Sequence, residues 1–275
     1  MNILTRLSTL LILPFTICSH AGAPLNNVNG IALPSGDEIA IKVNERNEGI
    51  AVSRKLTMKM TDRRGKSRTR ETRTFRKYYG QEKKTAIFYL SPKSVRDTAF
   101  LTFDYPQPDA EDDQWLYLPA MRKVRRISAS DRGDYFLGTD LTFEEMKLET
   151  RISIHDYSRK TIGKDIVDDM HCIIVESLPI NSDVAKELGL SKRHDCVDDT
   201  LWITRKSEQW DTNGNHLKTV RFKDIRLIDD ILTAHIITVK NHKTGHSTKL
   251  SFSDVSYNHG VSDDIFTQNS ISRGL

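Results

Sequence analysis

DQWLYLPAMRKVRRISASDRGDYFLGTDLTFEEM, residues Asp113–Met146, brings five kinds of segment together in one run. An aromatic strand, Gln114–Leu118, meets Pro119, which ends ladder pairing and turns the chain outward. The cations Arg122, Lys123, Arg125 and Arg126 follow, then a glycine-containing aromatic loop around Phe136. Thr142-Phe143-Glu144-Glu145 is a capping-box pattern that opens a short helix. No nucleophile, phosphate loop or metal motif sits in the run. Apolar surface beside fixed positive charge suits holding an amphiphile better than making or breaking bonds.

Two neighbouring strands share the character of Gln114–Leu118: TAIFYL (Thr85–Leu90) and AFLTFDY (Ala99–Tyr105). Ile87 and Tyr89 oppose Phe88 and Leu90; Leu101 and Phe103 oppose Phe100; Trp115 and Tyr117 oppose Leu116 and Leu118. Antiparallel strands usually alternate apolar with polar, so apolar residues on both faces mean that both faces are covered. One face takes a core. The other takes a helix or a lipophilic ligand.

The rest of the chain is β-rich. A helix is expected over Ser35–Asn47, capped by Ser35 or Asp37. Strands are expected at Val52–Thr61, Ser67–Tyr79, Arg151–Tyr157, Met170–Leu178, Thr200–Arg205, His216–Leu227, Thr233–Asn241 and Thr248–Val255. Asp183–Leu188 reads as a short helix closed by Gly189, and Asn213-Gly214 and Lys243-Thr244-Gly245 as hairpin turns. No βαβ alternation appears, which excludes Rossmann and TIM architectures.

The N-terminus reads as a secretory signal. Arg6 precedes an apolar run, Leu7–Ile17, followed by small residues, with cleavage favoured after Ala21. Cys18 raises a lipoprotein alternative, but Ile17 is bulky where a lipobox needs a small residue. The expected organisation is a signal peptide over 1–21 and a single domain over 22–275. No later segment approaches the roughly 20 apolar residues of a membrane span. Charge is nearly balanced, 41 basic against 37 acidic residues, which is no nucleic-acid signature. Its distribution is uneven. Arg63–Lys84 is strongly basic and reads either as a solvated edge strand guarded by charge or as a surface docking to an anionic membrane face or an acidic partner.

Cys172 and Cys196 read as a disulfide in an oxidising compartment. The flanking His171 and His194 leave a two-Cys, two-His zinc site as the alternative, although His171 and Cys172 would face opposite ways in a strand. The aspartate pairs, among them Asp168-Asp169 and Asp229-Asp230, read as turn residues rather than acid–base dyads. His242 and His246 fall on a hairpin rather than one helix face, and no serine lies in a Gly-x-Ser-x-Gly elbow. Neither catalysis nor a cofactor is expected.

FYLSP, AFLTFDY, DQWLYLPAMRKVRRI and FLGTDLTFEEM resemble motifs of the outer-membrane lipoprotein-sorting family, the LolA-like proteins often associated with RND-type transporters. LWIT at Leu201–Thr204, Gly245-His246-Ser247-Thr248 and the final Val261–Thr267 extend the resemblance from roughly Ser35 to the C-terminus. It implies a mainly β fold, an unclosed antiparallel β-barrel wrapping one or two short helices around an apolar cavity, in the periplasm. It implies carriage of a lipid or acylated cargo, with an RND-type inner-membrane transporter as a further partner. The alternative is an accessory protein that docks on such a transporter and carries nothing. Phe100, Phe103, Trp115, Tyr117, Phe136 and Phe143 are the candidate cavity wall. Arg122, Arg125 and Arg126 are the candidate cluster for an anionic head group, and should converge near the end of the Trp115–Leu118 strand.

Overall fold

The computed structural model describes residues 33–107 and 110–275. The expected signal segment, with Cys18 and the cleavage point after Ala21, lies outside the described residues. Thirteen antiparallel strands form one sheet. The first six are β1 (Ala51–Thr61), β2 (Ser67–Tyr79), β3 (Glu82–Ser91), β4 (Ala99–Asp104), β5 (Asp113–Leu118) and β6 (Lys123–Arg126). The others are β7 (Tyr157–Val167), β8 (Met170–Pro179), β9 (Leu190–Asp198), β10 (Thr204–Asp211), β11 (His216–Ile228), β12 (Ile231–Asn241) and β13 (Ser247–Tyr257). Four short helices accompany them: α1 (Gly36–Asn44), α2 (Phe143–Leu148), α3 (Ser182–Leu188) and α4 (Gln268–Arg273).

The sheet order is β6-β5-β4-β3-β2-β1-β13-β12-β11-β10-β9-β8-β7. Two hairpin meanders are therefore joined through the β1–β13 pair, and the sheet stays open, with β6 and β7 as its two edges. This topology has one strong consequence. The connection from β6 to β7, residues 127–156, must travel from one edge of the sheet to the other. It does so across the inner face. Its side chains Ile127, Phe136, Leu141, Phe143 and Met146 share one buried cluster with Leu56, Met58, Ile87, Tyr89, Phe100, Val220, Ile237 and Leu250. The fold is thus the unclosed antiparallel barrel around short helical segments that the sequence led us to expect.

The opposite face carries a second cluster. Phe88, Leu101, Phe103, Trp115 and Tyr117 pack with Phe266 and Ile271, which come from the C-terminal segment and α4. The double-sided apolar strands β3–β5 are explained by this arrangement: the crossover covers one face and the C-terminus the other. Ser262 and Thr267 accept hydrogen bonds from Asp264 N and Ser270 N and so start the two turns of that C-terminal cover.

Several expected boundaries shift, each for a local reason. Arg151–Asp156 is not a strand; the strand begins at Tyr157. The Arg159 guanidinium takes the carbonyls of Ser153, Ile154 and Tyr157, so that backbone is satisfied without a neighbouring strand. The expected strand Thr200–Arg205 is mostly a turn, with Asp198 accepting from Thr200 N and Leu201 N and with Trp202 at φ 52°. The pairing lies on either side, in β9 and β10. β2 pairs with β1 and β3, so the basic run is not an edge strand. Arg70 and Arg76 of that run point inward, while Arg63, Arg64, Lys66 and Arg68 stay exposed. The Asp168-Asp169 and Asp229-Asp230 pairs sit at hairpin tips with positive φ at both residues, as two-residue turns require.

Cys172 and Cys196 are joined on adjacent strands, with Cα atoms 5.3 Å apart. That removes the thiolates a zinc site would need.

Candidate ligand-binding cavity

An apolar cavity of about 60 Å³ lies between the inner sheet face and the crossover. Leu56, Ile87, Val220, Phe222, Ile237, Leu250 and Phe252 line it from the sheet, and Leu141, Met146 and Leu148 from the crossover. A single water needs about 10–15 Å³ of such space, so this gap has room for a few waters and no acyl chain. A wider groove of about 400 Å³ adjoins it and shares Glu145, Leu148, Arg193 and Gln209 with it. A cleft of about 690 Å³ meets it at Leu148 and Arg151.

Polar contacts add to the apolar packing that holds the crossover down. Lys218, on the same face of β11 as Val220 and Phe222, donates to Asp140 O at 3.0 Å and to the Glu145 carboxylate at 2.6 Å. Gln209 adds a second donor to Glu145 at 2.8 Å. Burial works to raise the Glu145 pKa, but Lys218 and the Thr142 N–H pull it below the ordinary value. Asp140 accepts from His246 at 2.6 Å and Thr248 at 2.7 Å. Arg70 donates to the carbonyl of Leu137, a residue at φ 45°. Asn44 of α1 exchanges two hydrogen bonds with the backbone of Ile152.

The end of α2 enters a buried ionic cluster. Glu149 pairs with Arg54 and, at 3.2 Å, with Arg76. Arg76 also reaches Glu48 at 3.6 Å. Burial opposes the charge on Glu48, yet Arg76, Lys83 and hydrogen bonds from Tyr78 and Thr150 hold its carboxyl down to about 2. Lys83, 1% exposed, donates to Lys147 O at 2.8 Å and pairs with Asp104 at 3.0 Å. Lys147 pairs with Asp112 and Glu144. Burial dominates at Glu144 and raises its pKa, and its Oε2 has no partner. Of these charges Arg54, from the sheet, and Glu149, from the crossover, line the apolar gap, as does Glu145.

The residues singled out in the sequence divide. Phe100, Phe136 and Phe143 form one mutual cluster on the inner side, with ring centroids 5.1–5.7 Å apart. They fill space beside the cavity and do not line it. Phe103, Trp115 and Tyr117 lie on the outer face under the C-terminal segment, Phe103 edge-on to Trp115 at 5.0 Å. The three arginines do not converge. Arg122 sits in the turn after Leu118 at φ 48°. Arg125 stands opposite Leu116 and Arg126 opposite Trp115, so they project to opposite faces, and Arg126 pairs with Asp113 at 2.7 Å. The residues that reasoning missed are Arg54, Arg76, Lys218, Glu145 and Glu149. For Lys218 a signal was present, a charge at an inward position of the alternating Lys218-x-Val220-x-Phe222.

The family model described as "uncharacterized protein"-like matches residues 81–273. The chain belongs to this family. No curated protein matches it. Its fold is LolA-like. A DUF1329 family protein from Desulfovibrio piger is 25% identical, with a TM-score of 0.78 over 86% of this chain and 97% of that one. A putative outer membrane lipoprotein-sorting protein domain from Vibrio parahaemolyticus is 28% identical, with a TM-score of 0.78 over 86% and 98%. A LolA superfamily protein from Nitrosomonas europaea, 19% identical, shares the fold with a TM-score of 0.65 over 86% and 99%. Among the described residues no helix is long and apolar enough to cross a membrane.

Proposed function

We propose that this protein is a periplasmic binding protein for a lipid or lipidated cargo, and that its acyl chain enters between the inner sheet face and the crossover. One observation carries the reading: a broad apolar sheet face is covered by a strap pinned at its rim through polar contacts, over a residual gap. Apolar layers that only stabilise a fold are packed to crystal-like density. Lifting this cover gives up its apolar contacts as well as its ion pairs and hydrogen bonds, and an acyl chain that takes its place on the sheet offsets that loss at about 0.8 kcal/mol per buried methylene. The similarity to a lipoprotein-sorting domain supports the same reading. On this account the protein does no covalent chemistry.

The small volume of the gap favours a second reading, a protein that docks on an RND-type inner-membrane transporter and carries nothing. Titration with an environment-sensitive fluorescent fatty acid separates the two. The carrier reading expects saturable binding. Val220→Trp, which places an indole in the gap, should weaken it about tenfold, the factor for about 1.4 kcal/mol of lost contact. Absence of binding to the wild-type protein supports the docking reading instead.

A further inference from the structure

The outer face of the sheet carries a feature that the cavity does not use. A groove of about 510 Å³ crosses β1, β13, β12 and β11. Strand register builds it in two rows. Lys59 stands opposite Lys249, Lys249 opposite Thr238, and Thr238 opposite Arg221. In the next row Thr61 faces Ser247, Ser247 faces Lys240, and Lys240 faces Thr219. Lys59, Lys240 and Lys249 are exposed, and no ion pair engages them among the described residues. Among the described residues Arg221 reaches Asp168, at 3.9 Å. Among the described residues no carboxylate lines the groove.

Like charges directly opposite each other destabilise a strand pair. Lys59 against Lys249 is therefore a cost that the fold does not explain. The basic surface also continues beyond the groove. A Cβ on Gly245 would lie 3.2 Å from Arg63 Cβ, so the β1–β2 turn with exposed Arg63, Arg64 and Lys66 sits against the β12–β13 turn. Part of the basic run in the sequence thus joins the groove into one cationic face.

We propose that this face lands the protein on the phosphate head groups of an anionic bilayer. The composition selects lipid over protein. The centres of protein interfaces are rich in aromatic residues, Met and Arg and poor in Lys. This groove offers three lysines and several hydroxyls against one arginine, Arg221, with His242 as its ring. Unpaired ammonium groups spread over neighbouring strands suit a field of phosphates, each worth about fivefold in binding near an anionic surface. The proposal is independent of what the cavity holds.

Co-sedimentation with vesicles tests it. The full protein should pellet with phosphatidylglycerol–phosphatidylethanolamine vesicles at low salt, be released at high salt, and ignore phosphatidylcholine vesicles. The triple variant Lys59→Ala/Lys240→Ala/Lys249→Ala should bind about a hundredfold more weakly, at about fivefold per cation. The corresponding Lys→Arg triple should bind like the wild type. Lys93→Ala/Lys123→Ala/Lys186→Ala, which removes the same charge elsewhere, should also bind like the wild type. Both alanine triples should keep their thermal melts and their fatty-acid binding. Equal loss in the two alanine triples, equal binding to phosphatidylcholine, or loss of vesicle binding on Val220→Trp would overturn the proposal. So would failure to bind vesicles together with retention on a polyglutamate column, which would assign the face to an acidic protein.

Discussion

Glu149 shows how a single residue ties cover to sheet. It is the carboxylate that Arg54 and Arg76 share, and all three are largely buried. Breaking a buried pair leaves an uncompensated charge, which costs about 3–5 kcal/mol. Glu149→Gln should therefore lower unfolding stability by about that amount, read by urea denaturation; a change within about 0.5 kcal/mol would mean the pair is solvated. The same groups set a pH dependence. Glu48 is held at about 2 against an ordinary 4.5, and Glu145, Glu149, Asp104 and Asp156 are also depressed. A depressed carboxyl adds stability above its unfolded value and loses it as pH falls through its folded value. Glu144, with a raised pKa, acts in the opposite sense and is relieved by protonation. Urea unfolding at successive pH should show stability falling steadily from about pH 5 to about pH 2. A flat profile would contradict the assignment. At this scale the sequence was only partly legible. Alternation told which neighbours in β3–β5 oppose each other, but not which face is inner, so Trp115 and Tyr117 were given to the cavity. Arg54 and Arg76 look like any surface cations until their partners, about 70 to 95 residues away, fold onto them.

Among the elements, the crossover is the one whose sequence was most informative and whose path was least so. The capping box at Thr142 is as read, with Thr142 N donating to Glu145 and Glu145 N to Thr142 Oγ1. Nothing local says that 127–156 spans the sheet; that follows only from β6 and β7 being its opposite edges. β9 was missed because Lys192, Arg193, His194 and Asp195 break the apolar alternation, and Arg193 and Asp195 satisfy each other at 2.7 Å. Lys218→Met should release the crossover, since it removes both the bond to Asp140 O and the partner of Glu145. Hydrogen exchange should then speed up over 134–148 with little change in β1–β4. Uniform acceleration would show that Lys218 stabilises the whole fold instead. The β8–β9 bridge acts on a different element. Its two cysteines are 24 residues apart, and removing it as Cys172→Ser/Cys196→Ser should cost about 3 kcal/mol by loop entropy. Unchanged unfolding under reducing conditions would contradict that.

On the scale of the molecule, an open sheet with two covered faces explains why β3–β5 are apolar on both sides. The sequence pointed to a cover on each face and left open whether one was a ligand. Its motifs pointed to the unclosed barrel. The pairing of β1 with β13 and the placement of the C-terminal segment over the outer face needed the structure, because both depend on contacts between the ends of the chain. The central claim is that the inner face, beneath the crossover, takes an amphiphile. Native mass spectrometry of the protein purified from a periplasmic extract, with organic extraction of the same sample, tests it most directly. The account predicts a mass above that of the polypeptide, an acyl-bearing species in the extract, and uptake of one equivalent of fluorescent fatty acid after delipidation. A protein at its polypeptide mass, with nothing extractable and no uptake, would contradict it.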